Sequence, residues 1–136
     1  MFARSKEKDM SERVEQAINN HKNFRSCSES VLCAFCDEAG INAQEASIAA
    51  KPFAGGKMGK CGAVLAAEYV LEKKYGEDAG ALKEEFERRF KEMNNTLMCR
   101  ELKGGLTGKP IRSCRGCVTD AAELLERLLA KEEQNG

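Results

Sequence analysis

From one end of this chain to the other, apolar residues recur three and four apart, and no segment shows the clean apolar–polar alternation of a half-buried strand. β-Branched residues are few. Only two prolines occur, Pro52 and Pro110, each beside a glycine-rich stretch. This pattern predicts an all-α fold: a compact bundle of about five helices plus one or two short ones, with glycine-rich loops, in a single cysteine-rich domain over 1–136.

The first helix is read from about Asp9 to Phe24, with Ser11 as N-cap and Val14, Ala17, Ile18 and His21 on one face. The second runs from about Cys27 to Glu38 and stops at Gly40. A short helix covers Ala43 to Ala50, and the loop "KPFAGGKMGK" follows. The third main helix spans about Cys61 to Tyr75, closed by Gly76. The fourth spans Ala81 to about Met93, with Leu82, Phe86 and Phe90 four apart. A short helix around Leu97 to Leu102 ends at Gly104-Gly105. After "LTGKP", the last helix runs from Cys114 to about Lys131, with an apolar stripe of Val118, Ala121, Ala122, Leu125, Leu128 and Leu129.

Charge narrows the function. Twenty-two Lys and Arg balance twenty-two Asp and Glu, so no basic excess exists to drive phosphate-backbone binding, and a dedicated nucleic-acid binder is not expected. No run of eighteen apolar residues is present, so no membrane insertion is expected. The start is charged ("RSKEKD") and lacks the apolar core of a signal peptide, which makes the cytoplasm the expected location.

Against that background the cysteines stand out: Cys27, Cys33, Cys36, Cys61, Cys99, Cys114 and Cys117. An odd count in a reducing compartment argues against a disulfide scaffold and for metal, redox or catalytic chemistry. The tripeptide Arg-Ser-Cys occurs twice, ending at Cys27 and Cys114. Ser26 with Glu29 forms a Ser-x-x-Glu capping box, and Ser113 is a second candidate cap. Cys61 opens the third helix, and Cys99 follows Asn95 and Thr96, either of which can cap. Four cysteines thus fall in the first turns of four helices. Unpaired N–H groups and the positive helix terminus there favour thiolate over thiol, with pKa values below ~8.5. Arg25, Lys60, Arg100, Arg112 and Arg115 flank these positions and act in the same direction if they point inward.

The two C-x-x-C pairs differ. At ~100° per residue, Cys36 lies half a turn from Cys27. Cys33 and Cys36 are therefore expected to pack against a neighbouring helix, apart from the Cys27 site. Cys114 and Cys117 begin a helix, as thioredoxin-type motifs do, but no βαβ pattern surrounds them. Neither pair is followed by histidine, which excludes covalent c-type haem. About eighty residues separate the pairs, too many for a zinc ribbon. A scattered four-thiolate site for zinc or an iron–sulfur cluster remains open.

"GGKMGKC" is no phosphate loop, because Ala54 replaces its first glycine, Cys61 replaces its Mg²⁺-binding hydroxyl residue, and no strand precedes it. His21, the one histidine, reads as a surface or core-edge residue.

The order Cys27, "PFAGGKMGKCGAVLA", "LMCREL" and "CRGCVTDAAELLERLL" resembles the bacterial and archaeal C_GCAxxG_C_C family, whose members are described as redox-active proteins of about this length. The resemblance spans about Cys27 to Leu129. It maps the four motif cysteines onto Cys27, Cys61, Cys99 and Cys114, and implies redox chemistry at them. One departure is Ala66, where the family's CGAxxG pattern has glycine. Cys33, Cys36 and Cys117 lie outside the four-cysteine pattern.

Three functions are consistent with this reading. In the first, a thiolate among Cys27, Cys61, Cys99 and Cys114 attacks a disulfide, and a neighbouring cysteine resolves the mixed disulfide. Cys61, reached through a flexible glycine loop, is then expected to be the most exposed reactive thiol, with Cys114 and Cys117 a local resolving pair. The partner would be a redox protein or a small thiol or disulfide. In the second, the same four cysteines ligate zinc or an iron–sulfur cluster. In the third, the cysteines only pack within a helical interaction module.

Overall fold

A computed structural model describes residues 2–105 and 108–135, with side chains at 12–54, 57–105 and 108–133. Leu106 and Thr107, in the loop expected before the last helix, lie outside the described residues. The chain forms α1 (Phe2–Lys22), α2 (Cys27–Ala34), α3 (Cys36–Ala39), α4 (Ala43–Ala50), a 3-10 segment (Lys51–Gly56), α5 (Gly62–Tyr75), a 3-10 turn (Gly76–Asp78), α6 (Ala79–Asn94), α7 (Cys99–Leu102) and α8 (Cys114–Asn135). Among the described residues there is no strand, and no helix is long and apolar enough to cross a membrane.

The expected elements are present, with shifted ends. The first helix starts at Phe2, so Ser11 lies inside it and not at its N-cap position. The expected second helix breaks at Phe35, whose φ of −113° and ψ of 18° leave the helical region. Phe35 is fully buried, and the Arg13 guanidinium stands 5.9 Å from its ring centre. Packing of that ring thus coincides with the break between α2 and α3. In α4 the Asn42 side chain accepts from the Glu45 N–H, and Glu45 accepts from Asn42 in return, a complete capping box.

The core lies where α5 meets α2, α6 and α8. Phe86 and Phe90 stack inside, with ring centres 6.3 Å apart, beside Leu32, Leu71, Leu125 and Leu128. On α5, Ala63, Ala66 and Ala67 are fully buried, so the alanine at the family's glycine position still packs as a small residue. The solvent face of α6 carries Glu85–Arg89 and Arg88–Glu92 pairs four apart.

One end of this bundle is built by the starts of α2, α5, α7 and α8. Ser28 Oγ donates to the Ala50 carbonyl at 2.8 Å, which ties the start of α2 to the end of α4. An isolated antiparallel bridge joins Lys60 to Met98: the Cys61 N–H donates to Leu97 at 2.7 Å and the Cys99 N–H to Gly59 at 3.0 Å. The Ile111 N–H donates to Leu102 at 2.9 Å, bringing the approach to α8 against α7. Residues distant in sequence are thereby held together at this end.

Candidate functional site

The serine caps work as the sequence predicts, with one correction. Ser26 Oγ accepts from the Glu29 N–H at 3.2 Å, and Ser113 Oγ from the Gly116 N–H at 3.0 Å. The Glu29 carboxylate does not return to Ser26. It pairs with Arg25 at 3.0 Å and with the Ser47 hydroxyl at 2.6 Å, so the capping box is half formed. Cys27 and Cys114 are each the first residue of their helices. Cys99 also begins its helix, but Met98 holds the N-cap position and no side chain caps it; Thr96 Oγ1 instead accepts from the Met98 N–H at 3.1 Å.

Cys61 departs from expectation twice. It is the N-cap residue rather than a member of the first turn, and it is 4% exposed, so it is not the most exposed thiol. The glycine loop that was expected to leave it open is ordered as the 3-10 segment and the Lys60–Met98 bridge, beside a buried Cys61.

Cys61 is the hub of the cluster. Its sulfur hydrogen-bonds with both Cys117 and Cys27. Gly62 follows it because there is no room for a side chain: a Cβ there would stand 2.7 Å from Cys27 Sγ and 2.7 Å from the Phe53 carbonyl oxygen. Gly116, inside the second C-x-x-C, is small for a similar reason. The Arg112 guanidinium crosses its Cα on the way to Asp120, which it grips at 3.0 and 3.1 Å.

The second half of the cluster is organised by a residue that sequence reasoning missed. The Lys103 ammonium lies near the sulfurs of Cys114 and Cys99, and its charge acts on both and on Cys27. Those sulfurs hold Lys103 protonated, Cys114 most strongly. The available signal was its spacing, since a lysine four residues after Cys99 lies on the same helical face. Cys117, outside the family's four-cysteine pattern, also belongs here. It is 2% exposed and faces Cys61. Five sulfurs and one ammonium therefore meet at the end of the bundle where four helices begin.

Cys33 and Cys36 lie elsewhere. Cys33 Sγ stands 3.7 Å from Arg25 Nη1 and 3.7 Å from Ser47 Oγ, while Cys36 interacts with Cys33 and Asp37. All seven cysteines are free thiols. His21 is half-buried with Nδ1 3.4 Å from Arg115 Nε. Burial, then the Arg115 charge, lowers its pKa.

The expected lowering of thiol pKa values does not hold at Cys61 and Cys99. Cys61 is pushed up to about 12: its hydrogen bond to Cys117 favours the neutral thiol, one from Cys27 works the other way, and burial adds to the rise. Cys99 is also raised, by burial first, with Lys103 opposing it. The interaction with Cys117, with burial adding to it, raises Cys61, and burial raises Cys99 at the start of a helix only four residues long. Among the described residues, no three His, Cys, Asp or Glu side chains are grouped so as to hold a metal ion.

These features define a helical protein with a clustered set of thiols beside a lysine at one end. The chain belongs to the C_GCAxxG_C_C family, whose model, described as "Putative redox-active protein (C_GCAxxG_C_C)", matches residues 25–128. No curated protein and no solved structure matches it.

Proposed function

We propose that the protein carries out thiol–disulfide exchange, with Cys114 as attacking sulfur and Cys99 as resolving sulfur. The observation that carries this reading is that the charge of one ammonium, Lys103, acts on both sulfurs. Cys114 is half-buried and opens the 22-residue helix α8, whereas Cys99 is 7% exposed. An incoming disulfide therefore meets Cys114 first. A positive helix end and an adjacent ammonium are the charges that stabilise an attacking thiolate.

In the first step the Cys114 thiolate attacks one sulfur of the substrate disulfide. The substrate S–S bond breaks, a Cys114 mixed disulfide forms, and the first substrate thiolate leaves and takes up a proton. In the second, Cys99 gives up its proton and attacks the Cys114 sulfur. The second substrate thiolate leaves, and a Cys99–Cys114 disulfide remains. Two electrons pass from the protein to the substrate, and a dithiol or two monothiols must return them. Cys117 faces Cys61 rather than Lys103, which favours Cys99 over Cys117 as the resolving group. The central trio of Cys27, Cys61 and Cys117 backs the exchanging pair.

The test is the reaction of the reduced, anaerobically purified protein with bis(2-hydroxyethyl) disulfide, followed by intact mass. Wild type is expected to pass to an internal disulfide, Cys99→Ser to stop at the mixed disulfide, and Cys114→Ser to react slowly. Stalling of Cys117→Ser in place of Cys99→Ser would reassign the resolving role. Stoichiometric metal with unreactive thiols would overturn the reading.

A further inference from the structure

Six large apolar side chains are exposed among the described residues, and four of them stand just before the cysteine-bearing helix starts. Phe24 is 99% exposed three residues before Cys27, and Met58 is 58% exposed three before Cys61. Met98 is 39% exposed next to Cys99, and Ile111 is 45% exposed three before Cys114. Because those sulfurs converge, each side chain is anchored within about 11 Å of chain from the cluster.

Phe24 is costly twice over. Its φ of +69° is left-handed, which a bulky residue rarely adopts. Its N–H donates to His21 and the next N–H donates to Asn20, the hydrogen bonds of a helix end where glycine or asparagine is usual. A strained aromatic ring in full solvent contact gains nothing in the isolated chain.

Charge is concentrated at the same end. The segments 22–27, 51–61 and 95–117 deliver all five clustered sulfurs, and they hold ten of the 22 basic residues but one of the 22 acidic ones, Glu101. The rest of the chain therefore carries twelve basic against twenty-one acidic residues. Arg25, Lys60 and Arg112 of the ten are ion-paired to Glu29, Glu87 and Asp120. Lys51, Lys57, Arg100 and Arg115 are exposed. A chain with a formal net charge of zero is thus polarised, with its positive end at the thiols. A cleft of about 450 Å³, whose walls include Arg100 and Ile111, lies beside them.

We propose that this end of the bundle is a docking surface for a partner protein whose disulfide sits on an acidic surface with apolar residues around it. The proposal rests on the reading of the cluster as a thiol-exchange site. A small disulfide requires neither these exposed apolar side chains nor a strained Phe24. A nucleic acid would use the basic residues but leave Phe24, Met58 and Ile111 uncovered. Methionine and phenylalanine around the mouth suit an apolar protein surface, and the cationic residues set its acidic rim.

The test uses two disulfide-cyclised peptides of equal length, one with Asp and Leu flanking its cysteines, the other with Lys and Ser. Fluorescein-labelled versions carry a thioether bridge in place of the disulfide, so binding is read by anisotropy without exchange. The acidic thioether peptide is expected to bind at least about tenfold more tightly than the basic one at low salt, with the gap closing in high salt. Phe24→Gly and Phe24→Asn are expected to weaken that binding severalfold while raising the thermal midpoint and leaving the reaction with bis(2-hydroxyethyl) disulfide unchanged. Lys57→Glu combined with Arg100→Glu is expected to erase the preference. Equal binding of the two peptides, unchanged binding by the Phe24 variants, or equally tight binding of a labelled single-stranded oligonucleotide would overturn the proposal. Failure of the small disulfide to react would overturn the exchange reading, whereas docking is judged on the thioether peptides alone.

Discussion

The sulfur of Cys27 lies 2.7 Å from the point where a Cβ on Gly62 would stand. The glycine after Cys61 is thus what lets the start of α2 close onto the start of α5. Gly62→Ala would have to push aside either this sulfur or the Phe53 carbonyl at the same distance. The expected outcome is a loss of about 1–3 kcal/mol in urea denaturation, the usual cost of overpacking. Faster alkylation of Cys27 in the folded protein should accompany it. A variant with an unchanged midpoint and unchanged Cys27 reactivity would mean that the contact is easily relieved.

Lys103 is expected to govern reactivity more than stability, because it is exposed while its charge acts on Cys114 and Cys99. Lys103→Met removes the charge that opposes the upward shift of Cys99 and the donor to Cys114. Exchange with a small disulfide should slow at neutral pH, and its pH profile should move to higher pH. Lys103→Arg should keep most of the profile. A rate lost at all pH values, with no shift, would point to a packing role.

Cys61 is expected to be the last thiol of the cluster to react. It is 4% exposed and pushed up to about 12. Iodoacetamide labelling of the native protein near pH 8, read by peptide mass, should modify Cys114 and Cys27 first. Cys61 should lag by on the order of 100-fold or more, since each pKa unit is a factor of ten in thiolate. Early labelling of Cys61 would show that the loop over it opens readily.

Two buried carboxyls set a pH dependence of stability. Glu68 is raised to about 8 by burial, then by its hydrogen bond with Glu87 and that group's charge. Glu126 is raised to about 7, by burial first, and its Oε1 has no hydrogen-bond partner. Both hold their protons more tightly folded than unfolded, where glutamate titrates near ~4.3. Their contribution is full below that value and is lost as pH rises through 7 and 8. Glu87 runs the opposite way: burial pushes it up, but hydrogen bonds with Glu68 and Lys60 win and lower it. Its contribution is present above ~4.3 and is lost as pH falls through its lowered pKa. The thermal midpoint should therefore fall between about pH 5 and pH 8.5, and Glu68→Gln or Glu126→Gln should flatten that fall. A steeper fall in either variant would contradict the assignment.

The helices and the cysteine-bearing starts of α2 and α8 were legible because periodicity and serine caps are local signals. The site was legible only in part. Cys61 was placed near its helix start, but its N–H bonds to Leu97 beside the Lys60–Met98 bridge, a contact between segments almost forty residues apart. No window of sequence contains it. Lys103 was missed because its role depends on Cys114, which arrives from another helix. Ser26 illustrates the same limit: the cap was visible, yet Glu29 was drawn away by Arg25 and by Ser47 on α4.

The central claim is that the clustered thiols exchange as one site organised by Lys103. Its most direct test is oxidation of the reduced protein with one equivalent of bis(2-hydroxyethyl) disulfide, acid quenching, and mapping of the resulting disulfide by peptide mass. The expected result is a Cys99–Cys114 bond with Cys33 and Cys36 still free. A bond between Cys33 and Cys36, with the five clustered thiols untouched, would contradict the account.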